Sequence, residues 1–223
     1  MLTSAGRTLA DVARCVKRPQ AAAHLPRLIL MTDRVRLPDP LAAVERLPPG
    51  SAVIVREPEP ARRAKLVRRL IRPCRRRRIR LLVAADARLA AVADGLHLPE
   101  ALLRRGYGRW PARRQGTLLT AAAHSPIAIR RAAARAVDAV LLAPVFATAS
   151  HPRAAALGPL RFARMVRNSP LPVYALGGID ATSARRLRGS GAAGFAAIGA
   201  LAATPSHPAS PLASPPTSAE AVA

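Results

Sequence analysis

The sequence predicts a single α/β domain, a (β/α)8 TIM barrel of eight parallel strands. Three observations lead there. Short apolar runs of Val, Ile, Leu and Ala recur without a polar alternate, which is the pattern of a strand buried on both faces and therefore parallel. Stretches with apolar residues at helical spacing separate those runs. The glycine clusters come last, at Gly177-Gly178 and Gly199, whereas an open doubly wound sheet normally carries its glycine fingerprint after the first strand.

In chain order the strands are read at 28–32 (LILMT), 52–56 (AVIVR), 79–84 (IRLLVA), 95–98 (GLHL), 118–122 (LLTAA), 139–143 (AVLLA), 172–176 (PVYAL) and 194–198 (GFAAI). Between them, 41–46, 61–71, 87–92, 126–135, 159–166 and 181–188 carry apolar residues at helical spacing. A chain of 223 residues with 50% hydrophobic content can bury one full core. The barrel is assigned to 27–203. In the extension 1–26, Leu9, Val12, Ala13 and Val16 fit either an amphipathic helix over the bottom of the barrel or a free arm. The tail 204–223 is Pro, Ser and Ala with almost no charge, a composition expected to be disordered.

Composition bounds the function. No apolar run approaches the length of a membrane span, and Arg7, Asp11 and Arg14 interrupt the place where a signal peptide needs an unbroken apolar region, so a cytoplasmic protein is expected. Cys15 and Cys74 match no metal or redox spacing. The net charge of +24 and the run Arg75-Arg76-Arg77-Arg78 raise the question of nucleic acid. Aromatics are only 3% of the chain, which leaves few stacking platforms, and no helix-turn-helix, zinc or RNA-recognition pattern is present. Apart from Lys17 and Lys65 the charge is all arginine, spread over nearly every helical segment as on solvated faces. Nucleic acid is therefore not expected as a partner, and a homo-oligomer is left open.

The most informative stretch is PVYALGGID at 172–180, followed by GSGAAGFAAIGAL at 189–201. A strand ends at Gly177-Gly178, a helix follows, and a second small-residue strand ends at Ile198-Gly199. Glycines let backbone N–H groups approach an anion with no Cβ in the way, and a following helix N-terminus adds partial positive charge. In a (β/α)8 barrel the last two strand-to-helix loops meet at the C-terminal face, where a phosphate site commonly sits.

Ordered landmarks over 28–201 carry a resemblance: MTDR at 31–34, VIVRE at 53–57, ADGLHLPE at 93–100, AAAHS at 121–125, APVFATASH at 143–151, ALGP at 156–159, then ALGGI and GAAGFAAIGAL. In these the chain resembles the thiamine phosphate synthase and thiazole tautomerase (TenI) family. The resemblance implies that the GGI loop and the last strand, here Gly177, Gly178, Ile198 and Gly199, hold the phosphate of a thiazole phosphate.

The chain departs from the synthase pattern where that chemistry is most demanding. The synthase reaction joins a pyrimidine methyl diphosphate to the thiazole and needs Mg2+ on hard carboxylate oxygens. The resemblance places the family's Asn-Asp after the third strand on Ala84-Ala85, and its second Asp on Leu102. Diphosphate or substrate contacts fall on Ile54 and Pro58, and a loop lysine on His151. No cofactor is expected, with Mg2+ only under a synthase alternative in which Asp86 or Glu100 takes over as ligand.

Tautomerisation of a carboxythiazole phosphate needs less: a phosphate anchor, a cation for the carboxylate and one acid/base near neutral pKa. The resemblance places the acid/base at His124, at the end of the fifth strand; the plain alternative is a polar residue starting a helix. His97 follows the family's GVHL pattern and is either a substrate contact or structural at the rim. Arg56 could meet a carboxylate bidentately or pair with Glu57 or Asp33. Thr32, Thr148 and Ser150 offer hydroxyls to a ligand, though hydroxyls are also ordinary in turns. The main reading is a metal-independent, tautomerase-like enzyme on a thiazole phosphate. The alternatives are a thiamine phosphate synthase with a displaced Mg2+ site, or a catalytically silent barrel binding thiazole or thiamine phosphate.

Overall fold

Each apolar run forms a strand because its Val, Ile, Leu and Ala residues can be covered on both sides, and in the computed structural model every residue of the strands β1 (Leu28–Met31), β2 (Ala52–Val55), β4 (Gly95–Leu98), β6 (Ala139–Leu142), β7 (Val173–Ala175) and β8 (Gly194–Ala197) is buried. In β3 (Arg80–Ala84) and β5 (Leu118–Ala123) only Arg80 and Ala122 are partly open. The structure describes residues 8–105, 115–148 and 155–202. All eight strands pair in parallel and in chain order, and β8 closes on β1 through Leu28 with Phe195, Ile29 with Ala196 and Leu30 with Ala197. The result is the (β/α)8 barrel expected from the sequence.

The helices α2 (Leu41–Arg46), α3 (Pro60–Arg76), α4 (Ala87–Ala90), α5 (Glu100–Arg105), α6 (Pro126–Ala133), α7 (Gly158–Arg167), α8 (Ala181–Arg185) and α9 (Gly199–Ala202) follow the strands in turn. Helix α3 runs past Ile71, where the expected helix stopped, and carries Pro73 in its interior. Proline removes one helical hydrogen bond, yet burial of Val67, Leu70 and Cys74 along one face holds the helix to the barrel on both sides of it. Helices α5 (six residues) and α9 (four residues) were not anticipated.

Helix α1 (Leu9–Cys15) closes the bottom. Thr8 and Asp11 form a reciprocal capping box at its start, and Leu9, Val12, Ala13 and Val16 join the main core. Arg27, just before β1, donates from one guanidinium nitrogen to the Ala13 and Val16 carbonyls at 3.1 Å each, satisfying the open end of the helix. The buried Tyr174 hydroxyl donates to the Pro26 carbonyl at 2.5 Å, tying β7 to the same corner. Of the two forms allowed for the extension, the structure takes the packed helix, so residue 26 marks no break in the core. The tail expected at 204–223 lies outside the described residues.

Candidate active site at the barrel mouth

The two glycine loops stand at the C-terminal ends of β7 and β8, as expected, and the first pair of glycines meets a further, steric requirement. Gly177 and Gly178 have φ of 91° and 63°, in the left-handed region. A Cβ on Gly177 would lie 2.8 Å from Pro144 Cα, and one on Gly178 would lie 2.5 Å from the Ala147 carbonyl oxygen. The loop after β7 therefore packs directly on the loop after β6, and Phe146 N–H donates to the Gly177 carbonyl at 3.0 Å. Gly199 differs, since a Cβ there would meet nothing within 4 Å.

The donors left for an anion are backbone ones. Among the described residues the N–H groups of Gly178, Gly199 and Ala200 meet no acceptor, and all three residues are exposed. The first turn of α8 does not join them as the sequence reading supposed. Asp180 caps that helix, accepting from Thr182 and Ser183 N–H at 2.8 and 2.7 Å, so these donors and the local positive charge are already matched. Ser183 Oγ donates to the Gly178 carbonyl at 2.8 Å and holds the glycine loop in place.

His124 leaves β5 into the mouth and is exposed. Its Nδ1 lies 2.7 Å from the Ala143 carbonyl at the end of β6. A carbonyl only accepts, so in the neutral ring Nδ1 carries the proton and Nε2 presents a bare lone pair. The helix-start role belongs to its neighbour: Ser125 Oγ accepts from Ala128 N–H at 3.1 Å and caps α6. The His124 N–H donates to Glu100 Oε2 at 2.9 Å, which fixes the backbone under the ring.

Arg56 is exposed after β2, and among the described residues its guanidinium has no ion pair or hydrogen bond. Neither partner foreseen for it is open: Asp33 is bound by Arg36 at 2.8 Å, which with further N–H donors brings its carboxyl down to about 2, and Glu57 accepts from Glu59 N–H at 3.1 Å. Thr32 is 2% exposed and its Oγ1 accepts from Arg56 N–H at 2.9 Å, so its hydroxyl holds the backbone of the arginine. His97 is 3% exposed, with Nδ1 3.0 Å from Thr120 Oγ1 on β5. Burial, helped by the Arg56 charge, pushes its pKa down to about 4, so it is neutral at ordinary pH. His97 therefore sits in the barrel wall, the structural one of the two places the sequence allowed it. Thr148 is half-buried after β6, and Ser150 and His151 lie outside the described residues.

Among the described residues the carboxylates do not converge as the divalent-cation site that the synthase reaction demands. Ala84 and Ala85 close β3, and Leu102 lies on α5. Asp86, foreseen as a replacement ligand, is engaged on both oxygens. Oδ1 accepts from Leu89 N–H at 3.0 Å as the cap of α4, and Oδ2 accepts from Arg63 at 3.1 and 3.3 Å. Glu100 is committed to His124 N–H. Among the described residues no three His, Cys, Asp or Glu side chains converge as a metal site. Arg63, one turn into α3, was missed by the sequence reading because nine further arginines within 62–80 hide it.

Comparison with known proteins agrees with this architecture. The profile described as thiamine monophosphate synthase matches residues 28–201. A Geobacter sulfurreducens protein is 35% identical over 195 residues, covering 80% of this chain and 87% of the relative. One from Aquifex aeolicus is 32% identical over 118 residues, covering 51% of this chain and 60% of the relative. Both are named provisionally as thiamine-phosphate synthases. The structure of a thiamine phosphate pyrophosphorylase from Pyrococcus furiosus superposes with a TM-score of 0.64 at 22% identity, over 82% of this chain and 90% of that one, which shows a shared fold. With the profile spanning the whole barrel from β1 to the last helix, this chain belongs to the thiamine monophosphate synthase family, which includes the TenI proteins.

Proposed function

We propose that this barrel binds a thiazole phosphate at its mouth and isomerises it without a metal. The observation that carries the reading is the His124 ring. Its Nδ1 proton is held on the Ala143 carbonyl, so Nε2 is free to accept a proton. The phosphate would sit on the free N–H groups of Gly178, Gly199 and Ala200, and the unpaired Arg56 would meet a carboxylate at the other end of the ligand. His124 Nε2 would then take a proton from one carbon of the conjugated thiazole and return it to another as the ring becomes aromatic. Nothing else leaves or enters, and no cation is needed to neutralise a departing diphosphate.

The names of the relatives favour a second reading, in which a pyrimidine methyl diphosphate is joined to the thiazole phosphate. That chemistry calls on Mg2+, and the donors at β3 and α5 do not fit it. One experiment separates the two. Purified protein is given carboxythiazole phosphate with EDTA, or pyrimidine diphosphate and thiazole phosphate with Mg2+. Isomerisation in EDTA, reduced about a hundredfold or more in His124→Gln without loss of Tm, supports the first. Mg2+-dependent thiamine phosphate formation would establish the second, and binding without turnover in either assay would leave a silent binding barrel.

A further inference from the structure

The family's acidic position after β3 falls on Ala85, and the backbone there keeps a conformation that suits the lost residue. Ala85 has φ of 58°, left-handed, where Asn and Asp are favoured several-fold over other non-glycine residues. Its N–H donates to the His97 carbonyl at 3.0 Å, so β4 holds it in that form. The next residue, Asp86, still carries a carboxylate, but a cation of the chain itself has taken it. Arg63 has a side chain only 12% exposed and spends all its directions locally: Nε and Nη2 on Asp86 Oδ2, and Nη1 on the Glu57 carbonyl at 2.9 Å. The guanidinium thus ties the loop after β2 to the loop after β3. Burial works against the charge on Asp86, but the Leu89 N–H and Arg63 outweigh it, and its carboxyl sits below the ordinary range.

We infer that the Arg63–Asp86 pair is a built-in replacement for the divalent cation on this side of the mouth. Arg63 is thereby a specificity-determining residue: with the Asp86 carboxylate engaged, it denies a site to a magnesium diphosphate. The statement about ligands rests on the reading of the mouth as the binding site; the statement about the cation does not.

Mn2+ serves as the probe for the cation, followed by electron paramagnetic resonance. The wild type is expected to leave the free Mn2+ signal unchanged at millimolar metal, while the double variant Arg63→Met with Ala85→Asp, which frees one carboxylate and adds another, should bind Mn2+ at least about tenfold more tightly. Calorimetry with thiamine phosphate and with inorganic pyrophosphate, each in EDTA and in Mg2+, reads the ligand side. The thiamine phosphate Kd should be equal within about twofold in the two buffers, and pyrophosphate should gain nothing from Mg2+. Tight Mn2+ binding by the wild type, a folded double variant that binds no Mn2+, or a tenfold Mg2+-dependent gain for pyrophosphate would each overturn the inference. If thiamine phosphate binds in neither buffer, the mouth fails as its site, and the Mn2+ result still decides the role of Arg63.

Discussion

His97 makes the stability of this barrel depend on pH in a calculable way. The ring is buried against Thr120, and its pKa is pushed down to about 4 by burial and then by Arg56. In the unfolded chain a histidine titrates near 6.5, so between about pH 6.5 and 4 the unfolded state takes up a proton that the native state refuses. The native state is thus favoured above that window, and stability falls as pH falls through it. From a folded value of about 4, the loss between about pH 7.5 and 5 is roughly 2 kcal/mol, and it levels off near 3 kcal/mol below pH 4. Urea unfolding of the wild type and of His97→Asn at both pH values is the assay. The variant is less stable throughout, because it loses packing, but the difference between its two values should be about 2 kcal/mol smaller than in the wild type. Equal pH dependence in the two proteins would refute the argument, as would a wild type that gains stability on acidification relative to the variant.

Two glycines of the proposed anion site should separate by experiment. Gly178→Val places a β-branched side chain at φ 63° against the Ala147 carbonyl and Phe146, so unfolding should become easier by about 3 kcal/mol and phosphate affinity should fall with it. Gly199→Val enters open space, so calorimetry should show weaker binding of thiamine phosphate while the Tm stays within about 2 °C. Ala85→Asn should raise stability by about 0.5–1 kcal/mol in urea unfolding, because asparagine tolerates the left-handed conformation that alanine occupies at a cost.

The strands were legible to within a residue or two because their signal is local. A run such as LILM or AVLL can be satisfied only with both faces covered, and eight of them separated by helical stretches leave few arrangements. The helices were less well bounded. The apolar spacing that marked α3 stopped at Ile71, but burial of Leu70 and Cys74 carries the helix on through Pro73. The glycine loops were found, but the steric demand for glycine at Gly178 was not legible, since the Ala147 oxygen it must avoid is 31 residues away in the chain. His124 was singled out by its neighbours in sequence, yet the direction of its free lone pair depends on the carbonyl of Ala143 on the adjoining strand.

The sequence by itself determined what depends on near neighbours and on composition: the periodicities, the order of elements and the glycines at the ends of the last two strands; the resemblance added that Ala85 and Leu102 stand where the family carries aspartates. The tertiary structure alone decided how the remaining charges are spent. Asp86 looked available from its position, and Arg63 looked like one arginine in a crowded helix. Folding sets them 3.1 Å apart across 23 residues, and a guanidinium that close matches the carboxylate's charge and occupies its Oδ2, while Leu89 N–H takes Oδ1. The same closure left Arg56 without a carboxylate because Asp33 and Glu57 are bound locally. Which cation is free and which is neutralised is a matter of distances between loops, and those are set only when the barrel closes.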